Sequence, residues 1–184
     1  RHEADPLRGR SLSDGQWEND ARLFKNANIN YIRTSHYPPS EKFLDACDKI
    51  GLLVEEEGPF CWVGMNWGHP YWNDHDSDDP RYFEPMFEQI KEMVERDKNH
   101  PSVVLWCIAN ESIWGPNFEK IAKLLKKLDP SRPRTYNWMP WNLEGGHDTR
   151  PDRDYCEVGA DHYPGPEGPG KFADHSRPVT FDEY

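Results

Sequence analysis

The stretch Ser102-Val103-Val104-Leu105-Trp106-Cys107-Ile108-Ala109 constrains the fold more than any other part of the chain, because it runs for eight residues without a charged side chain. A strand with one wet face alternates polar and apolar residues. A run this continuous predicts a strand covered on both faces, as in a parallel sheet packed between helices. Its flanks agree with that reading. Phe83 to Lys98 places Phe87, Ile90, Met93 and Val94 on one helical face, and Asn117 to Leu128 does the same with Phe118, Ile121, Leu124, Leu125 and Leu128.

The alternation extends in both directions. Asp14 to Asn28 has Trp17, Ala21, Phe24 and Ala27 at helical spacing, opened by Ser13 and Gln16 in a capping-box pattern. Asn30 to Thr34 is short and strand-like, and Pro38-Pro39 forbids its continuation. Glu41 to Ile50 is a helix closed by Gly51, followed by a strand through Leu52-Leu53-Val54 into Glu55-Glu56-Glu57. Later strands are predicted at Pro133 to Trp138, Val158 to Tyr163 and Pro178 to Glu183. Alternating helices and strands imply an α/β fold whose parallel sheet is either closed as a barrel or open and doubly wound. No glycine-rich phosphate loop follows any strand, which removes the main reason for the open sheet.

The fold expected is therefore a (β/α)8 TIM barrel over residues 1–184. A complete barrel takes roughly 250 residues, and this chain has 184. It starts without Met and ends inside a strand pattern at Phe181-Asp182-Glu183-Tyr184. Both ends are read as cuts: the barrel is expected to be incomplete, with its first strand before Arg1 and its eighth after Tyr184. Neighbouring N- and C-terminal domains of the same chain are expected partners, and a piece with open strand edges is expected to be poorly soluble alone.

Charge narrows the choice of partners. A formal net charge of -11 argues against nucleic acid and against anionic membrane, since such a surface repels polyphosphate and offers no basic stripe. No apolar stretch approaches the ~20 residues that span a bilayer, and the localisation stays open. Cys47, Cys61, Cys107 and Cys156 lie far apart with no Cys-x-x-Cys pair, so they are expected to be buried free thiols, not a zinc or redox motif. Trp62, Trp67, Trp72, Trp138 and Trp141 fall in segments read as loops. Rings there suit the apolar faces of a sugar and suit loop packing equally well.

Functional side chains of a parallel barrel gather at the C-terminal ends of its strands. The polar residues at those ends are Arg33 and His36, Glu56 and Glu57, Asn110 and Glu111, Asp161 to Tyr163, and Asp182 and Glu183. Glu111 follows the apolar run directly, and burial on one side is expected to raise its pKa as a general acid requires. Glu183 ends the last strand in the same way. Two carboxylates about 5–5.5 Å apart would define a retaining glycosidase. Position alone leaves a second reading open, in which one or both cap the next helix or pair with a surface arginine.

Arg1-His2-Glu3 before Asp5-Pro6-Leu7, Arg33-Thr34-Ser35-His36-Tyr37-Pro38, Asp97-Lys98-Asn99-His100-Pro101-Ser102-Val103 running to Trp106, Asn110-Glu111-Ser112, Asp129-Pro130-Ser131-Arg132-Pro133, and Asp182-Glu183-Tyr184 stand in this order along the chain. Together they resemble the catalytic barrel of glycoside hydrolase family 2, which contains β-galactosidases, β-glucuronidases and β-mannosidases. The resemblance implies Glu111 as acid/base and Glu183 as nucleophile in a β-galactosidase-like enzyme acting on a carbohydrate substrate. It implies that Asn110 bonds the sugar 2-hydroxyl, that Arg33 keeps the nucleophile ionised, that Tyr163 bonds the nucleophile, and that His2 and His36 stand near the sugar. Two rivals remain. One is an endo-acting retaining glycanase of the same clan, and the other is a barrel that binds sugar without chemistry.

One departure bears on cofactors. Family β-galactosidases carry a magnesium-binding Glu-x-His before a Gly-Met pair, whereas Gly64-Met65 here follow Cys61-Trp62-Val63. A thiol and a valine do not replace hard oxygen and imidazole ligands, so no metal and no cofactor is expected there. Asp74-His75-Asp76-Ser77-Asp78-Asp79 begins like a calcium loop but has Asp79 where the turn needs Gly and Pro85 where the loop needs Glu. Asn110-Glu111-Ser112 fits the glycosylation pattern but follows a buried strand, and Gly165 to Gly170 is a turn-rich loop.

Overall fold

The computed structural model describes residues 1–2, 5–64, 77–137, 154–163, 165–167, 170 and 177–183. Helices and strands alternate along them: α1 (Asp14–Asn26), β1 (Tyr31–Arg33), α2 (Glu41–Ile50), β2 (Leu53–Glu57), α3 (Phe83–Asp97), β3 (Val103–Asn110), α4 (Pro116–Leu128), β4 (Arg134–Asn137), β5 (Gly159–His162) and β6 (Val179–Glu183). Glu3, Met65, Trp67, Trp72, Trp138, Trp141, Tyr184, the start of the calcium-like segment at Asp74 and part of the Gly165 to Gly170 loop lie outside the described residues.

Local chemistry sets the helix ends. Gln16 Oε1 accepts from the Ser13 backbone N–H at 2.8 Å, closing one half of the predicted capping box. α1 stops two residues before the periodicity suggests because Asn28 takes the left-handed conformation, φ 63°. In α2 the Ser40 hydroxyl accepts from the Lys42 N–H, and Gly51 at φ 77° donates to Cys47 O. The face between these caps buries Phe43, Leu44, Ala46 and Cys47. Each large apolar side chain buried in this way contributes roughly 1.5–3 kcal/mol.

β1, β2, β3 and β4 form a parallel sheet in that order, and β5 pairs in parallel with β6. The Val158 N–H donates to Arg134 O at 3.1 Å, joining β5 to the β4 side of the first sheet. Helices cover the outside, where Ile90, Met93 and Val94 of α3 and Phe118, Ile121 and Leu125 of α4 pack with Trp106 and Ile108 of β3. Gly58 marks a close approach in this layer. A Cβ there would lie 2.6 Å from Ile90 Cδ1 and 2.7 Å from Ile108 O, so only glycine fits. The architecture is that of a TIM barrel, seen here as parallel strands with helices outside. Among the described residues β1 and β6 each pair with one strand, and no helix is long and apolar enough to cross a membrane.

Two family-like motifs hold the outer layer together. Asp48 of α2 accepts from the Ser102 N–H at 2.9 Å and pairs with His100 Nδ1 at 2.7 Å, fixing the turn into β3. Asp129 accepts from Arg132 Nη1 at 2.7 Å and from Trp106 Nε1 at 2.9 Å, and it also bonds Ser131. Burial opposes ionisation of Asp129, but these donors win and hold its carboxyl well below the usual range. Cys47, Cys107 and Cys156 are buried free thiols, and Cys61 is half-buried and free.

Candidate active site

Parallel strands end on the same side, so the C-terminal residues of β1, β2, β3, β5 and β6 converge. Strand alternation then sorts them. Glu55 and Glu57 point inward, whereas Glu56 points outward, where Arg96 Nη2 lies 3.8 Å from its Oε1 beside Asp97. Glu56 therefore does not join the carboxylate ring expected from position alone. Asn110 reaches the inner side through an irregularity. Cys107 faces Glu57, so strict alternation would turn Asn110 outward, but the β3–β4 register shifts between Cys107 and Asn110 and brings it back.

Arg33 is the centre of the Glu183 side. Its Nη1 donates to Glu183 Oε1 at 2.9 Å, its Nη2 to Asn110 Oδ1 at 2.5 Å, and its Nε to Glu57 Oε2. Glu57 is fully buried; its Oε1 bonds His36 Nδ1 at 2.8 Å and its Oε2 accepts from Asn137 Nδ2 at 3.1 Å. His36 is thereby held with Nε2 3.8 Å from Glu183 Oε1. The Tyr163 hydroxyl donates to Glu183 Oε2, and the Tyr163 N–H donates to Glu183 O at 2.7 Å. Burial pushes the Glu183 carboxyl up, but Tyr163, His162 and Arg33 outweigh it and hold it below its ordinary value. The same bond pushes the Tyr163 phenol up to about 12.

Glu111 is buried across the mouth. Trp62 Nε1 donates to its Oε2 at 2.8 Å, and His162 Nδ1 lies 3.4 Å from its Oε1. The expectation that burial raises its pKa does not hold in this arrangement. Burial does act upward, as does the charge of Glu183, but the bonds from His162 and Trp62 prevail and hold the carboxyl below its ordinary value. The buried strand before Glu111 is legible in the sequence, and the two donors facing it are not.

One oxygen of Glu111, one ring nitrogen of His162 and one oxygen of Glu183 lie within 4.8 Å of one another. This closeness is nearer to a carboxyl separation of about 5–5.5 Å than to the ~6.5–9.5 Å gap that admits a water between. The same carboxylates are held by neighbouring side chains, Glu183 by Arg33 and Tyr163 and Glu111 by Trp62. A second group, Asp45, Asp48 and His100, includes the Asp48–His100 contact of the α2 to β3 joint described above.

Of the residues expected from sequence, Glu111, Glu183, Asn110, Arg33, His36 and Tyr163 come together. His2 stands further out, its ring edge-on to His36 with centroids 5.2 Å apart. Three residues without an assigned role join the site: Glu57, Trp62 and His162. Strand-end position pointed toward Glu57 and His162, and loop aromatics toward Trp62, but nothing in the sequence pairs them. Backbone strain gathers here too. Trp62 at φ 63°, Glu111 at φ 40° and Tyr163 at φ 51° occupy the left-handed region that non-glycine residues avoid.

The model for glycosyl hydrolases family 2, TIM barrel domain, matches residues 1–161. Among solved structures, the β-D-glucuronidase of Dictyoglomus thermophilum is 29% identical with a TM-score of 0.72, over 88% of this chain and 28% of that one. A family 2 β-galacturonidase from Eisenbergiella tayi, bound to galacturonate, is 27% identical with a TM-score of 0.78, over 98% of this chain and 34% of that one. The β-glucuronidase of Ruminococcus gnavus is 25% identical with a TM-score of 0.72, over 88% and 28%. The chain thus spans about a third or less of the length of these relatives.

Proposed function

This chain belongs to glycosyl hydrolase family 2, and from that membership we propose that it forms the catalytic core of a retaining β-glycosidase acting on a terminal β-linked sugar. The observation that carries the reading is the close approach of two carboxylates in different surroundings, Glu183 among Arg33 and Tyr163, and Glu111 between Trp62 and His162. Glu183, held ionised, attacks the anomeric carbon while Glu111 gives its proton to the leaving oxygen. The glycosyl–Glu183 ester is then opened by a water whose proton passes to Glu111, and Glu183 is regenerated. A sugar filling the mouth excludes water from Glu111, which favours the protonated form that the first step needs. Asn110, fixed by Arg33, offers its amide to the sugar 2-hydroxyl, and His36 and His2 line the rim. Further segments of the same polypeptide complete the barrel around these residues.

Two sugar classes fit this site. A β-galactoside follows from the motifs as a family resemblance. A β-uronide is favoured by the names of the solved relatives, glucuronidases and a galacturonidase. Hydrolysis of aryl β-galactoside, β-glucuronide and β-galacturonide by the full-length protein separates the two.

The mechanism is tested by trapping. A 2-deoxy-2-fluoro glycoside of the accepted sugar should inactivate the enzyme and leave its mass on the peptide containing Glu183. Hydrolysis with inversion, or a label on another residue, would sink the assignment. Glu111→Ala should slow substrates with poor leaving groups far more than activated aryl ones.

A further inference from the structure

Glu111 is expected to alternate between acid and base, yet its carboxylate is faced on both oxygens. Trp62 Nε1–H, an obligate donor, lies 2.8 Å from Oε2. His162 Nδ1 lies 3.4 Å from Oε1, and the His162 ring is buried at the end of β5, fixed in place by the strand. An ionised carboxylate only accepts, so opposite it Nδ1 carries the hydrogen. The other titratable groups facing Glu111 are Glu183 from β6, Tyr163 after β5, and Cys61 beside Trp62. Glu183 acts against ionisation of Glu111, while Tyr163 is turned to Glu183 and Cys61 accepts from Asn110 Nδ2 at 3.2 Å. Of the titratable groups among the described residues, His162 is the one placed to support the carboxylate.

We propose that His162 is a positioning residue for Glu111, its Nδ1–H acting on Oε1 as the second fixed donor beside Trp62, so that the site is built to hold Glu111 as the base of the second half-reaction. Its bearing on turnover rests on the assignment of Glu111 as acid/base. Its bearing on Glu111 itself does not. The consequence is that protonation of Glu111, not its deprotonation, is the event that must be driven by substrate binding. The backbone strain at Glu111 and Tyr163 brackets the same pair of strand ends.

The test uses the full-length protein with side-chain carboxyl carbon-13 labelling of glutamate, Glu111 being assigned by the signal lost in Glu111→Gln. In His162→Leu the Glu111 titration should move to higher pH by about one unit, the worth of one hydrogen bond to a charged group. His162→Asn, which keeps an amide N–H near the Nδ1 position, should return it most of the way toward wild type. In parallel, the basic limb of kcat/KM should move up in His162→Leu with the titration. An unchanged Glu111 titration in His162→Leu overturns the proposal. Should His162→Leu fail to fold, the comparison is made with His162→Asn and His162→Phe, where only the donor-keeping variant should match wild type. A shifted titration without a shifted basic limb leaves His162 in its role and removes Glu111 from the acid/base role.

Discussion

Arg33 Nη1 and Glu183 Oε1 are 2.9 Å apart although 150 residues separate them in the chain. The same guanidinium also donates to Glu57 and Asn110, so one side chain sets the positions of three others. A lysine keeps the charge but has a single nitrogen and no planar fork. Arg33→Lys is therefore expected to lower kcat/KM by roughly 100-fold or more, the order seen when one preorganised donor of a reaction centre is lost. Steady-state kinetics checks this, and an unchanged kcat/KM would remove Arg33 from the site.

Tyr163 supplies a second donor to Glu183 from an exposed position, so its removal leaves the core intact. Tyr163→Phe is expected to reduce kcat/KM roughly 10- to 100-fold, the value of one hydrogen bond to a charged group. In the proposed mechanism Glu183 must be ionised, and loss of this donor raises its pKa. The acid limb of the kcat/KM profile should therefore move to higher pH, and a limb that stays in place would contradict the assignment.

Asp182, one residue before Glu183, points the other way, into the interior beside Glu55. Burial, then the charge of Glu55, pushes its carboxyl up from 3.8 to about 9. Glu55 is itself raised by burial and bonds Tyr31 at 2.6 Å. The folded state keeps a proton that the unfolded chain loses, so this contribution to stability is fully present below the unfolded pKa and gone once pH passes the folded value. Asp182→Asn should stabilise the protein at pH 8 by at least about 1 kcal/mol and flatten the fall in stability between pH 4 and 9. Thermal melts across that range provide the measurement.

Gly58 is required by the close packing of β2 and β3 against α3. Gly58→Ala is expected to cost ~1–3 kcal/mol through overpacking against Ile90 and the Ile108 carbonyl. A melting temperature equal to wild type would show that the sheet moves aside at no cost.

The sequence by itself determined the order and type of the elements. Burial on two faces leaves an apolar run at β3, and burial on one face leaves a helical period in α2, α3 and α4; both are local patterns and can be read without knowing what covers them. It also determined which polar residues end strands, and therefore that Arg33, Glu111, Tyr163 and Glu183 would gather at one mouth. Tertiary structure alone decided the partnerships. Glu55, Glu56 and Glu57 are the same residue type in a row, yet alternation sends Glu56 to Arg96 while Glu57 anchors Arg33 and His36. The register irregularity before Asn110 has no local signature. Most of all, whether burial or hydrogen bonding governs Glu111 depends on Trp62 and His162, 49 and 51 residues away. Electrostatic energies are set by distances through space, and those exist only after the strands have been brought side by side.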